Sequence, residues 1–111
     1  FVSLHCNGHT DNTVSGVEAY YYESENVKKL NKSMNYSSVL AITLMRQNFE
    51  KARINSSKFK ILKEVESPAI LLELGFLTNK DDLARVSNSR QQQEIAKAIY
   101  DGILEASRIK I

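Results

Sequence analysis

A single proline leading into an unbroken apolar run constrains this chain more than any other feature: Pro68-Ala69-Ile70-Leu71-Leu72, followed by Glu73-Leu74-Gly75. A short run of this kind, bounded by turn-forming residues, predicts a strand over Pro68–Glu73 covered on both faces, as in a parallel sheet. Pro68 can open that strand, where a missing N–H harms the ladder least, and Gly75 lets the backbone turn away. Glu73 then stands where a buried strand reaches its carboxyl end, the edge at which open α/β sheets bind ligands. Apolar company disfavours the ionised form, so the carboxyl pKa is expected to rise toward the range of a general base. A carboxylate in this position can equally cap a neighbouring helix or pair with a lysine.

The remaining segments arrange themselves around that run. Phe1–His5 is β-prone and mostly apolar, a strand with His5 at its end, and the polar stretch from Cys6 to Thr13 is a loop. From Gly16 to Tyr22, Val17, Ala19 and Tyr21 alternate with Glu18, Tyr20 and Tyr22, which predicts a second strand. Residues 23–36 are polar and read as loop and helix start. A helix is expected from Ser37, capped by Ser37 or Ser38, with Leu40, Leu44, Met45 and Phe49 as its apolar stripe. Lys58–Leu62 reads as a third strand and Lys63–Glu66 as a surface connection. Thr78 or Asn79 can cap a short helix holding Leu83, Ala84 and Val86, with Asp81 and Asp82 at its positive end. Arg90–Ser107 is the clearest helix, with Ile95, Ile99, Ile103 and Ala106 on one face. Mixed strands and helices of this kind predict an α/β layer fold, a mostly parallel open sheet flanked by helices.

At 111 residues the chain is sized for one small domain, 1–111, with a modest core. No apolar run approaches the ~20 residues needed to cross a bilayer. The first residue is Phe1 rather than methionine and already sits in a strand, so the chain reads as an internal piece with further strands upstream. A net charge of +2 carried by scattered lysines offers no basic stripe, and a nucleic-acid partner finds no support. The only cysteine, Cys6, excludes a disulfide framework and a paired-cysteine metal site.

Two strands thus end in groups capable of hydrolytic chemistry, His5 and Glu73. A neutral imidazole is a common zinc ligand, and a glutamate beside a metal-bound water can accept its proton and pass it to a leaving amine. A lone histidine at a strand end is ordinarily structural, so the pair by itself is weak. His9 stands four residues from His5, a spacing that aligns side chains only on a helix; Gly8 argues for a loop, with His9 facing solvent. Cys6 neighbours His5 on a strand, where successive side chains point to opposite faces, so it reads as a packing residue. Tyr20, Tyr21 and Tyr22 read as half-buried strand residues.

Taken together, four segments resemble the zinc-dependent N-acetylmuramoyl-L-alanine amidases of the Amidase_3 type. Phe1-Val2-Ser3-Leu4-His5-Cys6-Asn7 is similar to that family's strand-end motif, and Gly16-Val17-Glu18-Ala19-Tyr20-Tyr21 to the strand that follows it. Leu71-Leu72-Glu73-Leu74-Gly75-Phe76-Leu77-Thr78-Asn79 resembles its glutamate signature, and Ile95–Ile103 its last helix. The resemblance implies a peptidoglycan hydrolase that cleaves the amide between N-acetylmuramic acid and L-alanine. It also implies one zinc ion (Zn2+), held by two histidines and a glutamate. His5 aligns with the last of those metal ligands and Glu73 with the catalytic glutamate. The other two ligands belong to segments that precede the His5 strand in the family, so 1–111 reads as an incomplete catalytic domain. A secreted or cell-envelope location is implied in the same way.

Three other readings compete. A non-catalytic wall-binding relative would keep the fold and lack the metal. A cysteine hydrolase would use Cys6 with His5. A plain structural domain would need His5 only for stability.

Overall fold

The computed structural model describes residues 1–111. Four strands and four helices alternate along the chain: β1 (Val2–Asn7), β2 (Val17–Tyr21), α1 (Val27–Gln47), β3 (Ala52–Ser56), α2 (Lys60–Glu64), β4 (Ile70–Phe76), α3 (Lys80–Val86) and α4 (Ser89–Ser107). The strands form one open sheet in the order β1-β4-β2-β3. The β1–β4 and β2–β3 pairings are parallel and β2–β4 is antiparallel, so the sheet is mostly parallel, as expected.

Alternation along β2 and β4 divides the sheet's faces. Val17, Ala19, Ile70 and Leu72 turn toward α1 and α4 and join Leu40, Ala41, Leu44, Phe49, Ile95, Ala98 and Ile99 in the main core. Each fully buried leucine contributes about 1.5–3 kcal/mol through removal from water. The two helices approach closely at Gly102, where an added Cβ would lie 3.2 Å from Leu40 Cγ. The opposite face is covered only at one end, by a small cluster of Leu62, Ala69 and Leu71 beneath α2. It is therefore open over the middle of β4, whereas the apolar run predicted cover on both sides.

Three elements differ from the sequence reading. Helix α1 begins ten residues before Ser37, capped by Asn26, whose side chain accepts from Lys29 N. Its buried face in the first half is Lys29, Ser33 and Ser37, a correctly spaced stripe written in polar residues. Ser33 Oγ accepts from Ala69 N at 3.0 Å, and Lys29 Nζ donates to the carbonyls of Leu62, Lys63 and Val65. Met45, assigned to the apolar stripe, is exposed instead. The third strand is Ala52–Ser56, not Lys58–Leu62. Residues 60–64 are the short helix α2, whose free carbonyl end is satisfied by that buried lysine. Finally, Glu73 is inside β4 rather than at its end, because the strand continues through Gly75 to Phe76. Gly75 adopts φ +89°, and the register slips from His5↔Glu73 to Asn7↔Phe76: one residue on β1, Cys6, faces two on β4, Leu74 and Gly75, a bulge.

The short helix and the closing helix form where expected. Asn79 caps α3 by accepting from Asp82 N at 3.0 Å, and Ile95, Ile99 and Ala106 are buried on α4.

Candidate active site

The open face of the sheet carries one row of polar side chains. His5 on β1 is in register with Glu73 on β4, Glu73 with Glu18 on β2, and Glu18 with Arg53 on β3. Neighbouring strands lie about 4.8 Å apart, so the row crosses the sheet at right angles to the strands. All four share the face opposite the main core because their partners in the alternation, such as Val17, Ala19 and Leu72, are the core. The two residues picked out from the ends of separate segments are thus cross-strand neighbours.

Glu73 is half-buried, and its Oε2 is buried with no hydrogen-bond partner. Desolvation is the main cause that pushes its carboxyl above the usual range; the His5 imidazole pulls it down and the Glu18 carboxylate pushes it further up. It makes no ion pair with a lysine, which removes one of the structural roles considered for it. His5 is exposed, and its Nε2 lies 2.9 Å from Ser3 Oγ. With Nε2–H donating to that hydroxyl, Nδ1 keeps a free lone pair, the state a metal ligand needs.

Glu18, by contrast, is fully engaged. Its Oε1 accepts from Asn7 Nδ2 at 3.0 Å and from the Tyr20 hydroxyl at 3.1 Å, and its Oε2 accepts from Arg53 Nε at 3.0 Å. Burial first, then the Glu18 charge, raises the Tyr20 phenol. Glu18 and its partners Asn7 and Arg53 were not singled out as site residues from the sequence. The alternation of Glu18 and Tyr20 against Val17 and Ala19 already put them on one face; that β2 lies beside β4 was the missing information.

Other sequence candidates stand apart from this pair. His9 is an exposed loop residue, as expected: its Nδ1 accepts from Asp11 N at 2.9 Å, its N–H donates to Thr78 Oγ1 at 3.0 Å, and its ring meets Phe76 edge-on. Cys6 is exposed, contrary to the packing role assigned to it. Its thiol is pushed up by partial desolvation and then by the Glu73 charge, which works against a thiolate nucleophile. Tyr20, Tyr21 and Tyr22 are half-buried. A polar cleft of about 440 Å³, lined by Asn12, Gly16, Thr78, Asp82 and Arg85 among others, contains neither His5 nor Glu73.

No group of three or more histidine, cysteine, aspartate or glutamate side chains stands close enough to hold a metal ion. His5, whose Nδ1 makes no hydrogen bond within the chain, suits one position of a zinc site, but this chain's residues do not complete a ligand set.

An open α/β sheet with a histidine and a partly desolvated glutamate side by side on its exposed face has the makings of a hydrolase. The N-acetylmuramoyl-L-alanine amidase family model, Amidase_3, matches residues 1–105, and the chain belongs to that family. It is 34% identical over 110 residues to an uncharacterized cell wall amidase of Bacillus anthracis, covering 95% of this chain and 20% of that protein. It is 27% identical over 111 residues to the N-acetylmuramoyl-L-alanine amidase LytC of Bacillus subtilis, covering 97% of this chain and 21% of LytC. Among solved structures, the amidase AmiC2 of Nostoc punctiforme superposes with a TM-score of 0.83 at 28% identity, over 98% of this chain and 58% of AmiC2. The chain therefore spans between about a fifth and somewhat over half of the length of these relatives.

Proposed function

We propose that residues 1–111 are one incomplete amidase catalytic domain. In the longer protein it would serve a peptidoglycan hydrolase that cleaves the amide between N-acetylmuramic acid and L-alanine. The observation that carries this reading is the in-register placement of His5 beside Glu73 on the open face, within a family of wall amidases. Glu73 is the general base: desolvated and raised, it accepts a proton from the attacking water and returns it to the leaving alanine nitrogen. His5 is the one metal ligand this chain supplies, and the remaining ligands come from upstream residues. A zinc ion held by His5 and those ligands would supply Lewis-acid polarisation and lower the pKa of a bound water. Substrate and relatives together favour a secreted or envelope location.

The test is Glu73→Gln in the longer, zinc-loaded protein. Zinc content is expected to stay while hydrolysis of muramyl peptides falls by roughly 10²–10⁴-fold; wild-type turnover would remove Glu73 from the chemistry. A second reading, a wall-binding relative without metal, would show the same incomplete ligand set within residues 1–111. Zinc titration of the longer protein separates the two, since a non-catalytic relative takes up no stoichiometric zinc.

A further inference from the structure

Arg53 occupies the far end of the polar row, and its guanidinium does not stay above its own strand. It reaches back over Glu18 to lie 5.8 Å from the centre of the Phe76 ring, on β4. Two of its nitrogens are tied to the protein: Nε donates to Glu18 Oε2 at 3.0 Å and Nη2 to the Ser15 carbonyl at 2.8 Å. Both groups lie along one side of the guanidinium. The outer end, with both Nη1 protons, makes no hydrogen bond within the chain, and the side chain is 39% exposed against 12% for Glu18. If Arg53 served only to neutralise Glu18, a compact lysine charge would suffice. The fork, its place over the Phe76 ring and its unused end describe a donor set held ready for a planar anion.

We propose that Arg53 is a specificity residue that binds a carboxylate of the substrate on the peptide side of the scissile amide. This rests on the amidase reading above. Glu73 and Phe76 are three residues apart on β4, but the bulge sets them opposite His5 and Asn7, two residues apart on β1, or about 7 Å along the strand. An extended peptide with its scissile amide at Glu73 brings the carboxylate of the residue after alanine within about that reach. The chemistry assigns the direction. On the glycan side of a muramyl–alanine bond there are hydroxyls and an acetamide, and the lactyl carboxyl is already consumed in the amide itself. Any free carboxylate, at a carboxyl terminus or on an acidic side chain, lies on the peptide side. The substrate therefore lies with its peptide running toward the Arg53–Phe76 end of the face.

The experiment compares two soluble muramyl peptides in the longer, zinc-loaded protein. One has a free carboxylate on the residue after alanine, and the other has the carboxamide in its place. Wild type is expected to favour the carboxylate about tenfold in kcat/KM, expressed in KM, because a charge-assisted pair replaces a neutral contact. Arg53→Gln is expected to erase that preference, leaving the two peptides with equal kcat/KM. Arg53→Lys, which holds the charge and the Glu18 pair, is expected to retain only part of it. An unchanged preference in both variants overturns the proposal. So does an equal loss on both substrates, which is the mark of a purely structural arginine. Failure of wild type to cleave either peptide would instead sink the amidase reading, and this inference with it.

Discussion

Asp82 offers the sharpest test of how the fold holds its functional face. The side chain is only 2% exposed, and three donors converge on it. Its Oδ2 accepts from the backbone N–H groups of Gly16 and Phe76, both at 2.9 Å, and its Oδ1 accepts from Arg85 Nη1 at 3.0 Å. Gly16 precedes β2, and Phe76 ends β4, so one carboxylate joins two segments that border the polar row. Asp82→Ala leaves two buried N–H groups and a guanidinium without their acceptor. Orphaned buried donors cost about 1–3 kcal/mol each, and breaking a buried ion pair from one side costs about 3–5 kcal/mol, the terms overlapping here. A total near 4 kcal/mol is a large share of the roughly 6–17 kcal/mol expected for a chain of 111 residues. At about 4 °C per kcal/mol, melting should fall by ~12–20 °C. Asp82→Asn keeps one acceptor oxygen for the two N–H groups but turns an NH₂ toward Arg85, and should cost about half as much. Thermal unfolding by circular dichroism on the three proteins reads this directly. A midpoint for Asp82→Ala within about 3 °C of wild type would refute the reasoning.

Three further outcomes follow from other groups. Lys29→Met removes the donor to the carbonyls of Leu62, Lys63 and Val65, so α2 should open. Hydrogen exchange of the Leu62 and Lys63 amides, which donate to Phe59 O, should quicken by tenfold or more, and unchanged protection would count against it. The raised Cys6 thiol should alkylate more slowly at neutral pH than a free thiol, and Cys6→Ser should leave hydrolysis by the longer protein intact; loss of turnover would revive the thiol mechanism. Glu73 carries two opposite pH signatures. As a base it must be ionised, so turnover should fall on acidification at a pH above the ordinary carboxylate range. For stability, a folded-state pKa above the unfolded value means that stability is greatest below the unfolded pKa and is lost as pH rises through the folded one. Glu73→Gln should therefore melt with less dependence on pH across that window, and parallel profiles for the two proteins would show that no desolvated charge was present.

What the sequence made legible was set by where apolar residues carry the pattern. The strands Val17–Tyr21 and Ile70–Phe76 and the helix Ser89–Ser107 advertise their buried faces with Val, Ile, Leu and Ala, and each was found within a few residues. The first half of α1 hides its buried face in Lys29, Ser33 and Ser37, which periodicity of apolar residues cannot register. Edge strand β3 is mostly exposed, with Arg53, Asn55 and Ser56 outside the core, whereas Lys58–Leu62 imitates a strand by chance alternation. Of the polar row, His5 and Glu73 were picked out as strand-end groups, although both strands run on past them, to Asn7 and Phe76. Glu18 and Arg53 were not, because only the pairing order β1-β4-β2-β3 brings them alongside.

The bulge at Gly75 changes the parity of β4. On a regular strand, residues an odd number apart face opposite ways, and the ring of Phe76 would look toward the helices while Glu73 looks outward. The extra residue restores the sense, so one strand delivers a carboxylate and, a step later, an aromatic platform to the same side. The same three-residue spacing held in a regular ladder, without the bulge, would leave the carboxylate where it is and send the ring into the helical layer. The guanidinium from β3 would then have no surface to lie on. The irregularity in this stretch, more than side-chain identity, decides whether carboxylate and ring share the open face.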